Sequence, residues 1–117
     1  MAEIYTELST TFTTADTEGP VTITFRENAL TVEFSNFRNA GQKVVFHDTR
    51  AFSWSGWDGT SEKLSPDRVY QVDGSALLAP WIGFAVQKRP FLHFQLGFNA
   101  EGKYLDVIAT RMEHLNS

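Results

Sequence analysis

A chain of 117 residues with 42% hydrophobic and 14% aromatic side chains, ten of them Phe, holds enough apolar area for one core, and that excludes a disordered segment. The absence of cysteine excludes disulfides, thiolate zinc sites and cysteine nucleophiles. No apolar run approaches the roughly 20 residues of a membrane helix, Met1-Ala2-Glu3-Ile4 opens no signal sequence, and a net charge of −4 without a basic stripe argues against nucleic acid as a partner.

Without repeats or a linker, residues 1–117 read as a single β-rich domain. Ile4 to Phe12 is expected to be a strand with Ile4, Leu8 and Phe12 partly buried, followed by a Thr-rich loop to Gly19-Pro20. Val21, Ile23 and Phe25 then alternate with Thr22 and Thr24, and Leu30, Val32 and Phe34 alternate with Thr31 and Glu33. Period two is the signature of a strand. A turn centred on Glu27-Asn28 pairs Phe25 with Leu30, Ile23 with Val32 and Val21 with Phe34, so that one register puts all six apolar side chains on one face. Asn28 tolerates the positive φ of such a turn.

Strands are expected next at Lys43 to Asp48, Phe52 to Trp54 and Arg68 to Asp73. Ser75 caps one helical turn before Pro80, which has no amide hydrogen to continue it. The last hairpin runs Leu92, Phe94, Leu96 and Phe98 along one face, turns near Ala100 to Lys103 and returns as Tyr104 to His114. Pairing Asn99 with Tyr104 keeps Asp106 off the apolar face, opposite Gly97, and sets His93 opposite Thr110. A slip of one residue would bury Asp106 against Leu96 at a cost of several kcal/mol. Phe91, Ile108 and Met112 then share the other face, so the ribbon is expected to be covered on both sides, as a central pair is. The fold class is all-β, mainly antiparallel hairpins: a curved sheet, flattened barrel or sandwich with one short helical segment, the first two favoured.

No motif carries chemistry. His47, His93 and His114 lack ligand spacing, so no metal and no cofactor is expected. A nucleophile elbow is absent, as is the helix that should follow a phosphate cradle at Ser55 to Gly59. No catalytic residue is assigned, and the protein reads as a non-enzyme. Lys88-Arg89 and Arg111 form a small basic spot, with Arg111 expected to pair with Glu113 or an N-terminal acid. Such exposed pairs contribute less than about 1 kcal/mol.

Function then rests on binding. Residues 1–33 carry six acids against one base, and an acidic surface steers basic partners. Gly56 breaks the strand alternation, which leaves two placements for Trp57: folded back as a lid over the end of the barrel, or out at a loop tip, where an exposed Trp is a candidate hot spot. The expected activity is that of a cytoplasmic inhibitor, antitoxin or immunity-type protein that neutralises a basic protein through Trp54, Trp57, Asp58, Glu18, Glu27 and Glu33. The alternative is a small-molecule-binding or enzymatic β-barrel with a pocket around His93, Trp81 and Tyr104. Homo-oligomerisation, through a strand edge or the apolar Leu77 to Phe84 segment, is the third reading.

Overall fold

The computed structural model describes residues 3–10, 12, 14, 18–35, 41–56, 68–98 and 103–116. Its strands are β1 (Ile4–Glu7), β2 (Glu18–Arg26), β3 (Ala29–Ser35), β4 (Gly41–His47), β5 (Ala51–Gly56), β6 (Val69–Asp73), β7 (Ala85–Val86), β8 (Arg89–Pro90), β9 (Leu92–Phe98), β10 (Lys103–Ala109) and β11 (Arg111–Asn116), with a 3-10 turn at Ala79–Trp81 between β6 and β7. They form a five-stranded sheet in the order β1-β6-β9-β10-β5, a four-stranded sheet in the order β11-β4-β3-β2, and the small hairpin β7-β8. The all-β, antiparallel class expected from the alternation is what the chain adopts. The two sheets stay separate and face each other as a sandwich; the favoured flattened barrel does not form.

The core lies between the sheets. Leu30, Val32, Phe34, Val44 and Phe46 of the four-stranded sheet meet Val69, Phe94, Leu96, Phe98, Leu105 and Val107 of the five-stranded one. Aromatic pairs knit the layers, with Phe34 against Phe98 at 5.2 Å and Phe46 against Phe94 at 5.6 Å. Side chains fill this space, as interdigitated sheet faces do.

The β2-β3 hairpin has the expected register, Phe25 opposite Leu30 and Ile23 opposite Val32. Its turn places Glu27 at φ 53° and Asn28 at φ 65°, the doubly left-handed conformation whose twist suits a two-residue hairpin loop. An irregularity separates Thr22 from Glu18. The expected loop at Gly19-Pro20 is instead part of β2, and Pro20 is tolerated because β2 is an edge strand with amides free of ladder duty. Phe25, on the edge strand β2, stays 47% exposed; its ring packs on Phe52 of the other sheet's edge strand β5 at 5.6 Å.

Two expectations about the last hairpin are corrected. Its register lies two residues from the expected one: Gln95 faces Asp106, Leu96 faces Leu105 and His93 faces Ile108, where Thr110 was expected. A two-residue slip leaves every side chain on its face, so the apolar pattern cannot distinguish the two registers. The return strand also does not run unbroken to His114. It leaves the five-stranded sheet after Ala109, bends at Thr110 and joins the other sheet as β11. Met112 therefore faces the main core and not Phe91 and Ile108, which pack with Leu78 in a second apolar cluster. The hairpin strands β9 and β10 lie inside the sheet, covered on both faces.

Candidate functional site

The outer face of the five-stranded sheet carries polar residues in a row of strands. Strand parity puts His93 and Gln95 of β9, Tyr104 and Asp106 of β10, Tyr70 of β6 and Tyr5 of β1 on this side. Asp106 is placed by the observed register between two donors: His93 Nε2 lies 2.8 Å from its Oδ1, and Gln95 Nε2 donates to the same oxygen at 3.1 Å. The expected separation of His93 from Asp106 is thus overturned.

The chain of hydrogen bonds continues inward. Ser75 Oγ lies 2.7 Å from His93 Nδ1, and the Leu78 amide donates to the same Oγ at 3.1 Å. A carboxylate can only accept, so His93 presents Nε2–H to Asp106; in the neutral ring Nδ1 then accepts the Ser75 hydroxyl proton. Ser75 Oγ then accepts from Leu78 and so caps the turn that precedes the 3-10 element; the helical residues themselves are Ala79–Trp81, with Pro80 among them where it was expected to end the turn. Every hydrogen-bonding position of His93 is used, at 4% exposure.

Serine, imidazole and carboxylate in one relay are the parts of a nucleophilic triad, with the two ring nitrogens exchanged relative to the common arrangement. The surroundings favour a structural clasp. Ser75 is as buried as His93, and its oxygen is already engaged by an amide, whereas a nucleophile must meet a substrate carbonyl. Tyr5 donates to Glu3 at 3.3 Å, and partial burial, then the charges of Glu3 and Asp106, push its phenol above the ordinary value near 10.

What the clasp holds is the excursion from Gly74 to Arg89. Successive turns close it: the Ala79 amide donates to Ser75 O, Trp81 to Leu78 O and Phe84 to Trp81 O. Leu77, Leu78, Trp81 and Val86 pack inward on Phe91 and Ile108, and Trp81 stacks on Phe91 at 5.6 Å. Beyond Trp81 the chain turns at Gly83, φ 90°, and leaves Ile82 and Phe84 outside, 66% and 61% exposed. No acid occurs between Gly74 and His93 in the sequence, while Lys88 and Arg89 do. The Arg50 guanidinium lies over Phe91 at 5.5 Å.

The expected contact residues are dispersed. Trp54 packs on Phe98 at 5.6 Å with the Lys103 ammonium over its ring at 5.9 Å. Glu27 is exposed in the β2-β3 turn, Glu33 is exposed opposite Lys43, and Glu18 sits in β2 opposite Ser35. Trp57 and Asp58 lie outside the described residues. Of the expected pocket residues, His93 and Tyr104 are buried on the outer sheet face, while Trp81 stands half-buried on the excursion. Arg111 does not pair with Glu113, whose carboxylate takes His47 at 2.9 Å.

Among the described residues no group of three His, Asp or Glu is placed to hold a metal ion, and no helix is long and apolar enough to cross a membrane. A scan against protein-family models finds no match, and searches of curated proteins and of solved structures return none.

Proposed function

We propose that this protein is a non-enzymatic binding domain that docks onto another protein through Ile82 and Phe84. The observation that supports the reading is their combination of exposure and restraint. Two large apolar side chains stand in solvent on a segment that the Ser75–His93–Asp106 clasp, buried at Ser75 and His93, and the Trp81–Phe91 stack hold in place. Mobile loops lose affinity to ordering on association, and a pre-ordered apolar anchor avoids that cost. The absence of acids along the segment and the presence of Lys88, Arg89 and Arg50 around it fit a partner whose apolar pocket has an acidic rim. Covering a partner's surface is how inhibitor and immunity-type proteins act, and it needs no chemistry of its own.

The test compares wild type with the I82S/F84S double variant. Captured protein from host lysate is purified and its Kd measured against both forms at low and high salt. Removal of two central anchors is expected to weaken binding by about thirtyfold or more, on the scale of a 2 kcal/mol hot spot, with Tm changed little, since neither side chain belongs to a core cluster and Phe84 meets Trp81 only edge-on at 6.4 Å. Equal Kd values for the two forms overturn the proposal. So does concentration-dependent self-association, measured by light scattering, that the double variant abolishes, because the occupant is then a second copy of the chain.

A further inference from the structure

A polar cleft of about 250 Å³ opens where the β7-β8 hairpin meets the β4 and β11 strands, lined by His47, Asp48, Val86, Gln87, Arg89 and Arg111. It is smaller than the roughly 300–1,000 Å³ of drug-sized pockets, and so is sized for a small group. Two arginines line it, one from the hairpin and one at the first residue of β11. Glu113 is engaged with His47 at 2.9 Å, and Asp48, which lines the cleft, accepts the Thr110 hydroxyl through Oδ2 at 2.7 Å. Neither arginine has an ion pair among the described residues.

Two arginines against the single carboxylate of Asp48 leave the lining with an excess of positive charge, and here the backbone is also held in an uncommon shape to bring Arg89 there. Gln87 and Lys88, at φ 49° and 67°, form the tight turn of the hairpin without a glycine or asparagine. Residues of this kind pay a conformational cost in the left-handed region. That turn is what brings Arg89 back beside Val86, its partner in the ladder, and so to the cleft. Uncommon backbone that persists in a folded chain points to a functional demand on it.

We infer that the cleft is a binding site for a single oxyanion, a carboxylate or phosphate, held between Arg89 and Arg111. Planar guanidiniums offer paired N–H donors that match the geometry of such oxygens, and two of them supply the charge that one small anion needs. The free oxygen of Asp48 gives the ligand an acceptor for a hydroxyl or ammonium beside its anionic group.

Titrations with inorganic phosphate and with acetate at constant ionic strength, followed by NMR of the arginine Nε–H and of the backbone amides from Val86 to Arg89, test the site without any protein partner. A negative result therefore leaves the Ile82–Phe84 contact standing. Saturable shifts with one probe or both are expected, lost or weakened at least about tenfold in R89Q and in R111Q. Both arginines are exposed, so the variants should keep the wild-type Tm. The probe that saturates at lower concentration names the anion class. Shifts that stay linear with both probes, or saturation that persists unchanged in both variants, overturn the inference.

Discussion

His93 and Asp106 are joined at 2.8 Å across β9 and β10, diagonally, because the residues directly opposite them are Ile108 and Gln95. The diagonal makes a carboxylate tolerable on a covered sheet face: one oxygen collects the imidazole and the Gln95 amide, and Ser75 extends the relay to the excursion that carries Ile82 and Phe84.

Removing the carboxylate is expected to cost more than removing the hydroxyl. Asp106→Ala strands the His93 and Gln95 donors and should destabilise by about 2–4 kcal/mol. Ser75→Ala loses one cap and one bond to the ring, about 1–2 kcal/mol. Denaturant unfolding measures both. Hydrogen exchange should show the Leu78 amide opening more readily in Ser75→Ala while β10 amides keep their protection. Equal, negligible losses would mean that the relay holds nothing.

A glycine lies between the two exposed anchors. A Cβ at Gly83 meets nothing within 4 Å, but φ there is +90°, so Gly83→Ala is strained by conformation alone. A loss of about 1 kcal/mol is expected, together with a shift in the placement of Phe84. Partner affinity should therefore fall in this variant although no contact residue has changed.

How much of this was legible in the sequence follows from what each signal can distinguish. The β2-β3 register was readable because a one-residue slip would expose half its apolar side chains and Asn28 marks the turn. The β9-β10 register was not, since a slip of two preserves every facing, and the arbiter is the pairing of Asp106 with His93 and Gln95. The crossing at Thr110 carries no glycine or proline. Its one signal is parity: Leu105, Val107 and Ala109 face the core on odd positions, and Met112 resumes it on an even one. The cap at Ser75 was visible in sequence; its second bond, to a histidine 18 residues away, was not.

Thr110 makes the crossing between sheets by donating to Asp48, which itself sits at φ 55°. Asp48→Ala removes the acceptor and puts a residue that poorly tolerates the left-handed region there, so a loss of about 2 kcal/mol is expected. Asp48→Gly, which restores the backbone freedom but not the acceptor, should lose less. Thermal unfolding of the two variants separates backbone strain from the hydrogen bond, and identical losses would contradict the assignment of strain.

Tyr5 supplies a pH dependence. Its phenol is held protonated above the ordinary value, with burial as the main cause. The folded chain thus binds that proton more tightly than the unfolded one. The associated stability is fully present below pH 10 and is lost as pH rises through the folded value. Tyr5→Phe should flatten the alkaline limb of a stability-against-pH curve and leave neutral pH little changed; an unaltered alkaline limb would contradict the shift.

The most direct test of Ile82 and Phe84 as the docking surface is site-specific photo-crosslinking in the host. p-Benzoylphenylalanine is placed at position 84 and, in a separate protein, at position 25, a second exposed Phe, which packs on the also exposed Phe52. The account predicts one protein crosslinked from position 84, displaced by excess unlabelled wild type but not by the I82S/F84S double variant, and none from position 25. Crosslinking from position 25 alone, or a product at 84 that wild type fails to displace, would contradict it.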